Sequence, residues 1–101
     1  MEDRVVLVTG ASSGIGAATA SHFSKIGYKK LVLVARREDR LKGVKSECLE
    51  NGAKDVLLIT KDLSSEIEKG NEEIVQKTFD HFGRLDIVIA NAGMVEYKST
   101  R

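Results

Sequence analysis

The sequence predicts an α/β domain, a parallel sheet with helices on both faces. Three observations carry this. Four short apolar runs recur along the chain: Val5–Val8, Leu31–Ala35, Val56–Ile59 and Leu85–Ala90. They are mostly continuous rather than alternating in polarity, as strands buried on both faces are. Segments of helical periodicity separate them. The order is β-α-β-α-β-α-β, which calls for parallel strands joined by right-handed crossovers.

Each helix carries its own signals. From Gly14 to Ile26, the positions Ile15, Ala18, Phe23 and Ile26 are expected to share one face, and Gly27 stops the helix. From Glu38 to Glu50, Leu41, Val44, Cys48 and Leu49 form an apolar stripe, and Asn51-Gly52 end it. From Asn71 to Phe82, Ile74, Val75, Thr78, Phe79 and Phe82 do the same, with Gly83 after them. Asn71 reads as an N-cap, and Glu72 and Glu73 suit the positive end of the helix dipole. Ser64–Gly70 is charged and reads as a loop with a frayed helical turn. The chain has no proline to interrupt a helix.

Composition bounds the function. The chain has 101 residues, 42% of them hydrophobic and 31% charged, which fits a folded chain of one domain at most. Lys and Arg total 16 against 15 Asp and Glu, a formal charge of +1. That balance supplies no basic field to recruit nucleic acid or a membrane surface. One cysteine, Cys48, excludes an internal disulfide framework and a multi-cysteine metal site. Cys48 lies on an apolar stripe and reads as a small core residue. His22 and His81 stand alone on their helices and read as surface or boundary residues rather than metal ligands. No apolar run approaches the roughly 20 residues that span a bilayer. Met1-Glu2-Asp3-Arg4 lacks the layout of a signal peptide, so the expected compartment is the cytosol.

The most informative segment is Val8-Thr9-Gly10-Ala11-Ser12-Ser13-Gly14-Ile15-Gly16, between the first strand and the first helix. Gly10 can turn the chain sharply. Gly14 lets a ligand approach the backbone with no Cβ in the way, and Gly16 allows close helix–strand contact. The free N–H groups and dipole of the helix start then attract a pyrophosphate. A tight turn would also need glycine. Placement in a β-α-β unit, with Thr9 and two serines, favours dinucleotide binding. No Gly-Lys-Ser/Thr closes the segment, so it is not a nucleoside-triphosphate loop.

The spacing Thr-Gly-x-x-x-Gly-x-Gly resembles the short-chain dehydrogenase/reductase superfamily, and further landmarks follow in order. Ala18, Ala20, Phe23 and Gly27 look like that family's first helix. Ala35-Arg36-Arg37 follows the second strand, Asp62-Leu63 the third, and Asn91-Ala92-Gly93 the fourth. The resemblance spans Arg4 to Met94. It implies residues 1–101 as one Rossmann half-domain with strand order 3-2-1-4. It also implies cofactor contacts from Thr9, Gly10, Ser12, Ser13, Gly14, Ile15 and Gly16. Asp62 would hold the adenine amino group, with Leu63 lining the same pocket. Asn91 would steady the sheet, and Ala92 and Gly93 would let the ribose lie close.

Arg36 and Arg37 bear on cofactor choice. An acidic residue at the end of the second strand binds the ribose 2′-hydroxyl of NAD, whereas arginine there accommodates the 2′-phosphate of NADP. Two arginines precede the first acid, Glu38, so NADP is expected over NAD, with Arg36 the better placed of the two.

The chemistry of the resembled family rests on a Ser and a Tyr-x-x-x-Lys pair. Neither tyrosine here fits: four residues after Tyr28 stands Val32, and four after Tyr97 stands Arg101. No catalytic residue and no metal ligand is assigned. The expected function is the NADP(H)-binding portion of an oxidoreductase acting on a carbonyl or alcohol, in truncated form. Two alternatives stay open: a non-catalytic nucleotide-binding or regulatory module, and an S-adenosylmethionine-binding methyltransferase fragment. The fourth strand is expected to leave an uncharged outer edge open, a template for self-association or for a partner chain.

Overall fold

The computed structural model describes residues 3–11, 14–60, 67–90 and 95–98. Eight elements follow in order: β1 (Val5–Thr9), α1 (Gly14–Lys25), β2 (Lys30–Ala35), α2 (Glu38–Glu50), β3 (Asp55–Thr60), α3 (Ile67–Phe82), β4 (Ile87–Ala90) and β5 (Val95–Lys98). The sheet order is β3-β2-β1-β4-β5. The first four strands are mutually parallel, as the alternating pattern requires. β1 lies at the centre of this set, with Thr9 opposite Val34 on one side and Ala90 on the other.

The first two apolar runs have the burial expected of them, whereas in β3, at the sheet edge, only Val56 and Ile59 are buried and Leu57 and Leu58 are half-buried. All five residues of β1 and five of the six in β2 are buried. Side chains alternate across the sheet and divide the core in two. On one face Val6, Val8, Leu31 and Leu33 meet Ala20 of α1 and Leu41, Val44 and Cys48 of α2. On the other, Val5, Leu7, Val32 and Val34 meet Ile74 of α3. Thr78 is fully buried in α3, and its hydroxyl donates to the Ile74 carbonyl at 2.8 Å, so no polar atom is stranded there.

Four expectations are corrected. The buried side of α1 is not the Ile15–Ala18–Ile26 face. Gly16, Ala20, Ser21 and Ser24 are buried, whereas Ile15 is 65% exposed and Ile26 44%. Small residues at intervals of four let this helix pack closely on the Gly10 turn, the core and Cys48 of α2, and bulky ones there would hold it off. Leu49 of α2 likewise points outward. Helix α3 begins at Ile67 rather than Asn71, so Asn71 is an interior helical position and not an N-cap. β5 was not foreseen at all. It pairs antiparallel with β4, from Ile87 opposite Lys98 to Ala90 opposite Val95. The outer edge of β4 is therefore covered, not open to a second chain. Residues 91–94 separate the two strands, a connection of hairpin length. Val95-Glu96-Tyr97-Lys98 is short and mixed in polarity, which hid it beside the longer apolar runs.

Candidate cofactor site at the carboxyl edge of the sheet

Because β1 to β4 are parallel, Thr9, Ala35, Thr60 and Ala90 all end at one edge of the sheet. β2 and β4 lie on opposite sides of β1, and α1 and α2 lie on the face opposite α3. The direction of winding therefore reverses beside β1. In doubly wound sheets a ligand crevice opens at this reversal, outside the carboxyl ends of the strands.

The chain leaves β1 through Gly10, whose φ of 62° lies in the left-handed region that glycine adopts without strain. The turn is tied down on both sides. The Ala11 N–H donates to the Val34 carbonyl of β2 at 3.0 Å. The Thr9 hydroxyl donates to the Ile89 carbonyl of β4 at 3.4 Å. Ala11 is fully buried. The sequence reading passed over it as a loop residue, although a small apolar residue in a run of serines and glycines was a signal for burial.

The two helical glycines differ. A Cβ on Gly16 would collide with the Gly10 carbonyl oxygen and stand 2.8 Å from its carbon and 2.9 Å from Ala11 Cα. The absence of a side chain at Gly16 is thus a requirement of the fold itself, letting the start of α1 rest on the turn. A Cβ on Gly14 would meet nothing within 4 Å. Gly14 faces open space at the start of α1, next to the exposed Ile15. Contacts with the described residues do not explain glycine there.

Arg36 and Arg37 follow β2 at the same edge, and both are exposed. Neither makes an ion pair with another described residue. Ser12, Ser13, Asp62, Leu63, Asn91, Ala92 and Gly93 lie outside the described residues. The strands that lead into the last five, β3 and β4, do end at this edge.

The other candidates of the sequence reading fall elsewhere. Cys48 is buried between α1 and α2. Burial pushes its thiol pKa up, against a smaller opposite effect from its hydrogen bond with Ser24. A thiol in that state is a core group rather than a nucleophile. His81 is exposed in the last turn of α3. Its Nε2 lies 3.1 and 3.2 Å from the two carboxylate oxygens of Asp55, at the amino end of β3 and away from the candidate site. His22 is exposed on α1. No group of three or more His, Cys, Asp or Glu among the described residues could hold a metal.

Residues 4–101 match the family model for short chain dehydrogenases. The chain belongs to that family. It is 48% identical over 86 residues to a hydroxysteroid 11-beta-dehydrogenase 1-like protein from Xenopus tropicalis, a match covering 85% of this chain and 29% of the relative. Among solved structures, an oxidoreductase from E. coli, yciK, superposes with a TM-score of 0.80 at 31% identity, covering 90% of this chain and 37% of that one. A metagenomic short-chain oxidoreductase in complex with NADP gives a TM-score of 0.76 at 31% identity, covering 87% and 38%. The chain thus spans about a third of the length of the relatives it matches. Membership of this oxidoreductase family removes the methyltransferase alternative. Among the described residues, no helix is long and apolar enough to cross a membrane.

Proposed function

We propose that residues 1–101 form the NADP(H)-binding half-domain of a short-chain oxidoreductase that acts on a carbonyl or alcohol. The observation that carries this reading is Gly14. No described residue stands within 4 Å of a side chain placed there, yet the residue is glycine, beside an apolar Ile15 left 65% exposed at the carboxyl edge. A pyrophosphate seated against the start of α1 needs that space and the N–H groups around it. Gly10, Gly14, Ile15 and Gly16 would hold the diphosphate side, with Thr9 fixing the turn. Ser12 and Ser13 would add polar contacts. Asp62 and Leu63 would receive the adenine, and Asn91, Ala92 and Gly93 the ribose.

Arg36 and Arg37 favour NADP over NAD, because two exposed guanidiniums can form charge-assisted bonds with a 2′-phosphate. The NADP complex of a 31%-identical relative supports that choice. When bound, the cofactor supplies the hydride. The residues of this chain bind and orient it, because the Tyr-x-x-x-Lys pair that moves the proton in this family is absent from the 101 positions. A cytosolic setting goes with this reading on the composition grounds given above.

The test is a fluorescence titration with NADPH and NADH. NADPH should bind more tightly by about 1.5–3 kcal/mol, the worth of hydrogen bonds to a charged group. Arg36→Ala with Arg37→Ala should erase most of the difference. Equal affinity for the two cofactors in the unaltered chain would overturn the choice of NADP, and failure to bind either would overturn the cofactor reading itself.

A further inference from the structure

We propose that Arg40 is a third residue reading the cofactor's 2′-phosphate, an inference that rests on the NADP reading above. Arg40 lies in the first turn of α2, three residues after Arg37 and four after Arg36. The Leu41 N–H donates to the Arg37 carbonyl at 3.3 Å, so Arg37 belongs to the same closed turn. Arg37 is the N-cap and Arg40 the third helical residue, positions whose side chains stand beside the same first turn, as in a capping box, and Arg36 directly precedes the N-cap. Long helical side chains lean toward the helix amino terminus. Here that direction leads back to the carboxyl end of β2, where Arg36 leaves the sheet.

Glu38 and Asp39 suit the helix start, but the three arginines around them leave an excess of positive charge there. Arg40 puts a cation in the first turn of a helix, against the dipole. Arg37, at the N-cap position, makes no side-chain hydrogen bond to the helix start. Like charges gathered at one helix start repel. Arg36, Arg37 and Arg40 are all exposed, and none pairs with another described residue, although Glu38 and Asp39 lie between them. A local arrangement that costs stability with no compensating contact points to a functional demand. A phosphate monoester carries about −1.5 to −2 charges near neutrality. One guanidinium does not neutralise it, and a cluster of three meets it with room for forked bonds.

The experiment measures NADPH and NADH affinities for the unaltered chain, Arg40→Ala and Arg40→Lys, at low and high salt. Arg40→Ala should weaken NADPH roughly two- to five-fold at low salt, the size of an exposed charge pair, and leave NADH unchanged. Arg40→Lys should keep most of the NADPH affinity, and the Arg40→Ala effect should shrink as salt screens it. An unchanged NADPH-to-NADH ratio in Arg40→Ala would overturn the assignment. So would an equal fall for both cofactors, which would make Arg40 a structural residue of α2. If the unaltered chain shows no preference for NADPH, the NADP reading fails and this inference fails with it. A preference that survives Arg40→Ala sinks the inference alone.

Discussion

The two ends of the parallel strands use polar residues in opposite ways. At the amino end, polar groups are spent on the protein itself. Asp86, just before β4, accepts the Val5 N–H at 2.8 Å and two bonds from Arg84 at 2.8 and 2.9 Å, while its own N–H donates to the Val5 carbonyl. Asp55 pairs with His81, and Lys29 donates to the Gly52 carbonyl at 3.0 Å. At the carboxyl end, Arg36, Arg37 and Arg40 stand exposed without a carboxylate partner among the described residues, and Gly14 faces open space. The first end closes the fold. The second holds the residues proposed to receive the cofactor, and real proteins break local rules most often where function requires it.

Gly16 and Gly14 give the sharpest test of that division. Gly16→Val forces side-chain atoms into the Gly10 backbone, and overpacking of this kind costs about 1–3 kcal/mol or more. Denaturant unfolding should show the loss, and dinucleotide binding should go with it. Gly14→Val should leave stability within about 0.5 kcal/mol, as substitutions away from packed features do. Binding should be abolished all the same, because the branch occupies space the pyrophosphate needs. Retained binding in Gly14→Val would mean that the open side of the turn is not used.

Asp86→Ala tests the amino end. It strips the Val5 N–H of its carboxylate partner, and an unsatisfied buried donor costs about 1–3 kcal/mol. The melting temperature should fall while the preference for NADPH over NADH persists. A lost preference would show that the two ends are coupled.

The same carboxylate sets a pH dependence. The hydrogen bonds from Arg84 hold its pKa below the ordinary value of 3.8; burial opposes them by less, and the Val5 N–H adds a smaller lowering of its own. A folded-state pKa depressed in this way contributes stability above the unfolded carboxylate range. That contribution is lost as pH falls through the folded value. Acid unfolding curves of Asp86→Asn should be flatter than those of the unaltered chain below about pH 4, where an unfolded Asp takes up its proton. Parallel curves would assign acid sensitivity to other groups.

The smallest effect is expected from Asp55→Asn. Its pair with His81 is exposed on both sides, so the loss should be about 0–1 kcal/mol and should fade with salt. A larger loss would promote this contact to a main tie between α3 and β3.

Much of this was legible in the chain, for reasons that differ by element. β1 and β2 were readable because strands buried on both faces must be apolar at every position. α2 was readable because Glu38–Glu50 carries acids at its start and Asn51-Gly52 at its end. The buried face of α1 was not, because periodicity ranks residues by hydrophobicity, whereas the contact there selects for smallness. Gly16, Ala20 and Ser24 score as neutral or polar, and yet they are buried, Gly16 against the Gly10 turn, Ala20 in the core and Ser24 beside Cys48 of α2.

The glycine spacing by itself determined that the turn after β1 is a candidate dinucleotide site, since few other demands place three glycines between a strand and a helix. It did not separate their roles. Only the tertiary structure decided that Gly16 is held to glycine by the backbone of Gly10 and Ala11, whereas Gly14 is held by no contact with a described residue. It also decided the fate of the β4 edge. The edge was expected bare because no further apolar run follows Ala90, and β5 covers it, because strand pairing depends on which backbone groups the chain can bring alongside and not on the apolar run alone.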